Sequence, residues 1–256
     1  MDILNAKASK KEIVGEYIVK NLAYLYFESG SGATLKYPNF KLYPRDYLKY
    51  AQYELNEYLK TDNAYIHLIN CISHLKRAID CQLDINLHAL NLYKIFEKKN
   101  LKFGKKLEFF KDIGIFNSRT LERFNAIRNK MEHYYDIPEV QDIEVYFDLV
   151  NAFIALLEAM LIQLVNTSNI SLNNFINDHG EGEYGDANDV NVEIEYIYED
   201  PKIIVKFGPS REMENVVASV NEDREAFSYF LKLLILFYKR ANFISDDYLL
   251  QELNYC

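Results

Sequence analysis

Arg128, Asn129, His133 and Tyr135 stand at fixed offsets in the octapeptide Arg128-Asn129-Lys130-Met131-Glu132-His133-Tyr134-Tyr135. An arginine grips a phosphate through a planar fork of donors, and a histidine exchanges protons near neutral pH. That pair suits the cleavage of a ribose-phosphate link without a metal. The imidazole would take the proton of a ribose 2′-hydroxyl while the guanidinium stabilises charge on the phosphoryl oxygens. The same residues also have ordinary structural uses. Arg128 and Glu132 sit four apart, a helix-surface ion pair worth about 0.3 kcal/mol. His133 can cap a helix C-terminus, and Tyr135 can be one packed ring among 21 tyrosines.

The element that positions these groups reads as an amphipathic helix over residues 118–135. Ser118 is a suitable N-cap, and Leu121, Phe124, Ile127, Met131 and Tyr134 form its apolar stripe at spacings of 3, 3, 4 and 3. The stripe is core, which leaves Asn129, Lys130 and His133 on the remaining arc. At about 100° per residue, Arg128 and His133 point about 140° apart, so one helix does not easily aim both at one phosphate. Two copies of the chain can.

The Arg-x4-His-x-Tyr spacing, with the polar Asn129 directly after the arginine, resembles the signature of HEPN-domain ribonucleases in the form carried by their toxin members. The resemblance covers residues 46–166 and maps only Arg128, Asn129, His133 and Tyr135. It implies a mainly α fold, a HEPN-like helical bundle, and a homodimer whose two motifs line one cleft across a two-fold axis. It also implies a metal-independent endoribonuclease that leaves a 2′,3′-cyclic phosphate, acting as a toxin or phage-defence effector without a cofactor. On this reading Arg128, Asn129 and His133 are catalytic: His133 is the general base, Arg128 holds the phosphoryl oxygens and Asn129 orients the histidine or the backbone. Tyr135 contacts RNA; in the resembling toxins the tyrosine of this motif is where the antitoxin attaches nucleotides. With no nucleotidyltransferase pattern in the chain, an antitoxin or regulatory partner would be separately encoded. The alternative is a catalytically inactive HEPN-like module that binds RNA or scaffolds proteins.

A formal net charge of −9 opposes binding to a phosphate backbone, but the charge is unevenly spread. Residues 98–130 hold ten Lys and Arg against three acids, whereas residues 177–200 hold nine acids and neither Lys nor Arg. The motif lies in the basic window. Lys102, Lys105, Lys106, Arg123 and Lys130 are therefore expected to bind RNA alongside Tyr135; a solvated face without a partner explains the same lysines. Deleting 177–189 would test whether the acidic stretch occupies the basic face.

The organisation expected is an N-terminal helix (9–27) with an extended arm to residue 45, a helical bundle (46–166), an acidic linker (167–189), and a β-hairpin with a C-terminal helix packed on the bundle (190–256). Ser29-Gly30-Ser31-Gly32-Ala33-Thr34 breaks the first helix, and Pro38 and Pro44 keep the arm extended. Further helices are predicted at 46–60, 62–83, 85–98, 139–165 and 222–240, with a short one between 102 and 116. Phe147, Val150, Ile154, Leu157 and Leu161 form a nearly strict heptad seam that serves a bundle core or a dimer equally well. Alternation over 190–198 and 203–207 around Glu199-Asp200-Pro201 predicts the hairpin, which must rest on other structure. The segment 227–238 is apolar nearly all round and predicts a helix buried on more than one face.

Cys71, Cys81 and Cys256 form no C-x-x-C pattern, so neither a disulfide framework nor a zinc knuckle is indicated. His67, Cys71 and His74 fall at i, i+4, i+7 on one side of a helix; packing is the expected role and a metal site the rival one. Lys7, Lys10 and Lys11 with no hydrophobic block after them, and an apolar stretch at 152–165 too short to span a bilayer, predict a cytoplasmic protein free of membrane.

Overall fold

The computed structural model describes residues 8–61, 65–99, 102–116, 119, 126, 129, 140–174, 190–240 and 243–254. In chain order the described elements are α1 (Lys10–Asn21), a 3-10 turn (Leu22–Tyr24), β1 (Tyr26–Ser31), α2 (Pro44–Lys60), α3 (Tyr65–Ala89), α4 (Tyr93–Lys98) and α5 (Phe103–Asp112). They continue with α6 (Val140–Asn166), β2 (Asn169–Asn173), β3 (Asn191–Ile197), β4 (Lys202–Gly208), β5 (Glu214–Ser219), α7 (Arg224–Arg240) and α8 (Asp246–Asn254). The chain divides into two compact units, Met1–Leu35 with Gln163–Cys256, and Lys36–Ile162.

The first unit overturns the mainly α expectation. Five antiparallel strands form one sheet in the order β1-β2-β3-β4-β5, so the protein is mixed α and β rather than an all-helical bundle with a hairpin appended. The expected hairpin is present as β3 and β4, but it is flanked by β2 on one side and β5 on the other. Alternation sorts the two faces: Ile170, Leu172, Val192, Ile194, Tyr196, Ile203, Val205, Phe207 and Ala218 are buried, while their neighbours along each strand, Gly208 at the end of β4 apart, are half-exposed or exposed. Helix α7 packs against β2 to β5, and every residue from Ala226 to Phe237 is buried. On the other face Glu193 pairs across the strands with Lys206 at 2.9 Å.

The N-terminal helix is shorter than the predicted 9–27. Ser9 and Glu12 close a capping box at its start, with Glu12 N–H donating to Ser9 Oγ (3.2 Å) and Ser9 N–H donating to Glu12 Oε2 (2.7 Å). After Asn21 the chain tightens into the 3-10 turn and then pairs as β1 with β2, Ser29 opposite Ser171 and Ser31 opposite Asn169. The first half of the glycine-serine stretch, Ser29 to Ser31, is thus the end of an edge strand. Long-range pairing supplies hydrogen bonds that the local sequence does not advertise.

The second unit is helical. Helices α2 and α3 pack side by side through Leu48, Ala51 and Leu55 of one and Leu68, Cys71, Ile72, Leu75 and Ile79 of the other. The break predicted near residue 84 does not occur. Helix α3 runs on to Ala89, and the turn falls at Asn91, in the left-handed region at φ 54°, with Leu92 N–H donating to Leu87 O at 2.7 Å. Gly114 (φ 76°) ends α5 in the same way, with Ile115 N–H donating to Phe110 O at 3.1 Å. Buried Gln82 and Asn86 carry a polar link from α3 to α6: Gln82 Nε2 donates to Asn86 Oδ1 (2.7 Å), and Asn86 Nδ2 donates to Leu157 O (3.0 Å).

Of the heptad seam on α6, Val150, Ile154, Leu157 and Leu161 are buried within the protein. This helix also corrects the apolar stretch read as too short to span a bilayer. Among the described residues it is the one helix that meets the length and composition of a span, over Ile143–Asn166, where an 18-residue stretch has a mean hydropathy of 1.9 and is 39% buried. It carries Glu144, Asp148 and Glu158, and Arg45 grips Glu158 with two donors at 3.1 and 2.6 Å while donating to Asn151 at 2.7 Å.

Candidate functional site

A surface cleft of about 430 Å³ opens in the helical unit, lined by Phe40, Lys41, Leu42, Tyr47, Arg77, Asp80, Cys81 and Asp84. Two short stretches build it. Pro44 opens α2 at its first turn and Tyr43 N–H donates to Asp46 Oδ2 at 2.8 Å, which sets where residues 40–42 enter the helix. On α3, Arg77, Asp80, Cys81 and Asp84 fall at i, i+3, i+4 and i+7 and so share one face. Cys81 donates weakly to Leu42 O at 3.7 Å, tying the two walls together.

Charge in the cleft is sorted by pairing. Asp80 is bridged by Lys76 at 3.2 Å, one turn back on α3, and Asp84 is bridged by Lys106 of α5. Lys41 and Arg77 are exposed and make no ion pair with a described residue. With both carboxylates already matched, the two free cations set the sign. Two aromatic groups flank the cleft, each contributing one ring to its lining. Phe40 meets His88 edge-on with centroids 6.0 Å apart, and His88 stacks on Tyr93 at 3.9 Å. Tyr47 stacks on His74 at 6.5 Å, and Tyr50 lies 5.5 Å from the same imidazole.

Burial governs the titrating groups here. It pushes the Cys81 thiol up to about 11, with Asp84, Asp46 and Asp80 adding to the rise, so the sulfur is a poor nucleophile at neutral pH. Burial also holds His74 and His88 below the usual histidine value; Arg77 adds to the effect on His74, and Lys106 adds to that on His88 while Asp84 and Glu97 oppose it. Both rings are therefore neutral and stacked at physiological pH.

The residues singled out by sequence are distributed unevenly. Arg128, His133 and Tyr135, together with Arg123 and Lys130, lie outside the described residues, as do the apolar stripe of their helix and the acidic stretch 177–189. Asn129 is helical and half-buried. Lys102 is exposed at the N-cap of α5, where its carbonyl accepts from Lys105 N–H and Lys106 N–H at 2.9 and 3.3 Å. Lys105 bridges Glu108 at 2.6 Å on the same helix, and Lys106 is half-buried against Asp84. Of the described lysines expected on RNA, Lys106 alone touches the lining of the cleft, through Asp84.

His67, Cys71 and His74 go to three different surroundings. His67 Nδ1 lies 2.6 Å from Glu54 Oε2, Cys71 is fully buried with its thiol pushed up to about 12 by burial, and His74 sits against the tyrosines. Among the described residues no group of three His, Cys, Asp or Glu side chains can hold a metal ion. The cleft itself was not singled out from sequence. Its one local signal is the helical spacing of Arg77, Asp80 and Asp84, which reads equally well as a solvated face until residues 40–47 are brought beside it.

Compared with known protein families, curated proteins and solved structures, the chain matches none of them.

Proposed function

We propose that this protein is a metal-independent endoribonuclease of the HEPN type, working in the cytoplasm as a homodimer and serving as a toxin or defence effector held in check by a separately encoded partner. The observation that carries the reading is the Arg128-Asn129-x3-His133-x-Tyr135 pattern, placed after the lysine-bearing helix α5 and with Asn129 in helical conformation. His133 takes the proton of the ribose 2′-hydroxyl, and the 2′-oxygen attacks the adjacent phosphorus. The bond from phosphorus to the 5′-oxygen breaks, that oxygen takes a proton from water as it leaves, and a 2′,3′-cyclic phosphate remains. Arg128 stabilises charge on the non-bridging oxygens, a contribution often worth about 3 kcal/mol of barrier for one positioned donor. Asn129 orients the histidine, and Tyr135 contacts the RNA.

The test is cleavage of bulk RNA in EDTA by wild type, Arg128→Ala and His133→Ala, each checked for an unchanged circular dichroism spectrum. Wild type is expected to cut, with 2′,3′-cyclic phosphate ends, and both variants to be inactive. Cleavage that survives both substitutions overturns the assignment.

A second reading, a module that scaffolds proteins without turnover, is favoured by one observation. Lys105 and Lys106 are matched by Glu108 and Asp84, which removes part of the positive surface that the window 98–130 offers on paper. That reading predicts a dimer on a sizing column and no cleavage.

A further inference from the structure

We infer that the cleft between residues 40–47 and α3 is a binding site for single-stranded RNA, taking one nucleotide with its base on the ring of Phe40 or Tyr47 and its phosphates on Arg77 and Lys41. The inference rests on the RNA-directed reading above and gives it a substrate-holding surface. Three features of the cleft carry it. Its volume of about 430 Å³ admits a single nucleotide unit and falls within the range of small-ligand sites. Its lining combines aromatic rings with two cations, the pairing by which proteins hold single strands, since every base has a face to stack and every link a charge to neutralise. Its acids are already answered: Lys76 bridges Asp80 and Lys106 bridges Asp84, so Arg77 and Lys41 are the charges left for an anion.

The arrangement also selects against other ligands. A bare phosphate, or the carboxylate of an acidic peptide, has no use for the rings of Phe40 and Tyr47. Neutral imidazoles packed against the lining rings, His88 on Phe40 and His74 on Tyr47, hold the aromatic walls in place before a base arrives. A duplex, with its bases already stacked on one another, cannot offer a free base face.

The test uses the full chain and a labelled 12-nucleotide 2′-O-methyl oligouridine, which lacks the attacking hydroxyl and so reports binding without cleavage. Lys41→Ala/Arg77→Ala is expected to weaken binding about tenfold or more. It should also flatten the dependence of log affinity on log salt by about 1.4, two single-strand phosphate contacts at about 0.7 each. Phe40→Ala is expected to cost about tenfold, Arg77→Glu more than Arg77→Ala, and the exposed control Lys20→Ala/Lys36→Ala nothing. Because Lys41 and Arg77 are exposed, thermal unfolding should be unchanged in their variants. No binding by wild type, or unchanged affinity and salt dependence in Lys41→Ala/Arg77→Ala, overturns the inference. Cleavage of ordinary RNA, measured on the same proteins, separates the two claims. Cutting with variant-insensitive binding sinks the cleft alone, whereas binding that follows Lys41 and Arg77 in a protein that never cuts sinks the nuclease and keeps the cleft.

Discussion

Lys106 on α5 donates to Asp84 on α3, and both side chains are half-buried. The contact pins α5 to the helix that carries the cleft, and it takes one lysine of the basic window out of play for RNA. Lys105, one residue away, instead bridges Glu108 in solvent, with side chains 58% and 47% exposed. Lys106→Ala should therefore lower stability by about 1 kcal/mol, and Lys105→Ala by no more than a few tenths, read as shifts in the urea midpoint. Asp84→Asn, which frees Lys106 beside the cleft, should raise affinity for a single-stranded oligonucleotide about threefold. Equal destabilisation by the two lysine substitutions would mean that burial does not distinguish the pairs.

What could be read from sequence follows the range of the interactions. Helices α2, α3 and α7 announce themselves through apolar periodicity, and β3 and β4 through alternation around Glu199-Asp200-Pro201, because those signals lie within one segment. Strands β1 and β2 do not. Tyr26-Phe27-Glu28-Ser29-Gly30-Ser31 is exposed along its whole length, and Asn169-Ile170-Ser171-Leu172-Asn173 is asparagine-rich, so only their mutual pairing makes them strands. The motif at Arg128 to Tyr135 is legible because it is local. The cleft is hidden because Phe40 and Arg77 belong to different stretches, and helical spacing alone does not tell a ligand-facing side from a solvated one.

Gly32 shows what the glycine-serine stretch is for. A Cβ there would fall 1.8 Å from Val165 O and 2.8 Å from its carbonyl carbon, both rigid backbone atoms, while Ala33 N–H donates to the same oxygen at 3.1 Å. Gly32→Ala is expected to destabilise by about 3 kcal/mol. Gly104→Ala, in α5 with nothing within 4 Å of its Cβ, should stabilise by about 0.5 kcal/mol through helix propensity. Thermal midpoints moving in opposite directions would bear this out, and a tolerated Gly32→Ala would refute the close approach.

Arg240 ties three pieces of the first unit together. Its guanidinium donates to Asp246 Oδ1 and Oδ2 at 2.7 and 2.9 Å, to Leu22 O at 3.0 Å and to Leu25 O, carbonyls at the start of the 3-10 turn and just past its end. Arg240→Ala strips those carbonyls of a donor and should cost about 2 kcal/mol. Arg240→Lys should recover little of it, since an ammonium cannot serve both sides of the fork. The side-chain hydrogen bond from Arg240 holds the Asp246 carboxyl below its usual range. That contribution is present above the ordinary aspartate pKa and is lost as pH falls through the lowered one, so Asp246→Asn should cost stability at pH 7 and almost none at pH 2.

The two stacked histidines give a separate pH signature. Burial lowers both His74 and His88 from 6.5, so protons bind the unfolded chain first as pH falls. Stability is then level above about 6.5 and declines below it until the folded-state pKa values are passed. His74→Phe and His88→Phe should each flatten the fall in urea midpoint between pH 6.5 and 5.5, a window above that of the lowered carboxylates. A wild-type midpoint that rises over this interval on acidification would contradict the assignment of either ring as half-buried and neutral.

Cys81 lines the cleft, yet its thiol is pushed up to about 11, and that of Cys71 in the core to about 12. Since the thiolate is the reacting form, Cys81 at pH 8 should alkylate about a hundredfold more slowly than an unhindered cysteine. Cys71, with no exposed surface, should wait for unfolding. Iodoacetamide labelling followed by peptide mass spectrometry, in buffer and in urea, reads both rates. Urea should bring the two thiols to the same fast rate. Rapid labelling of Cys81 in the native protein would instead mark an activated sulfur, and the cleft would have to be reconsidered as a site of covalent chemistry rather than of non-covalent binding.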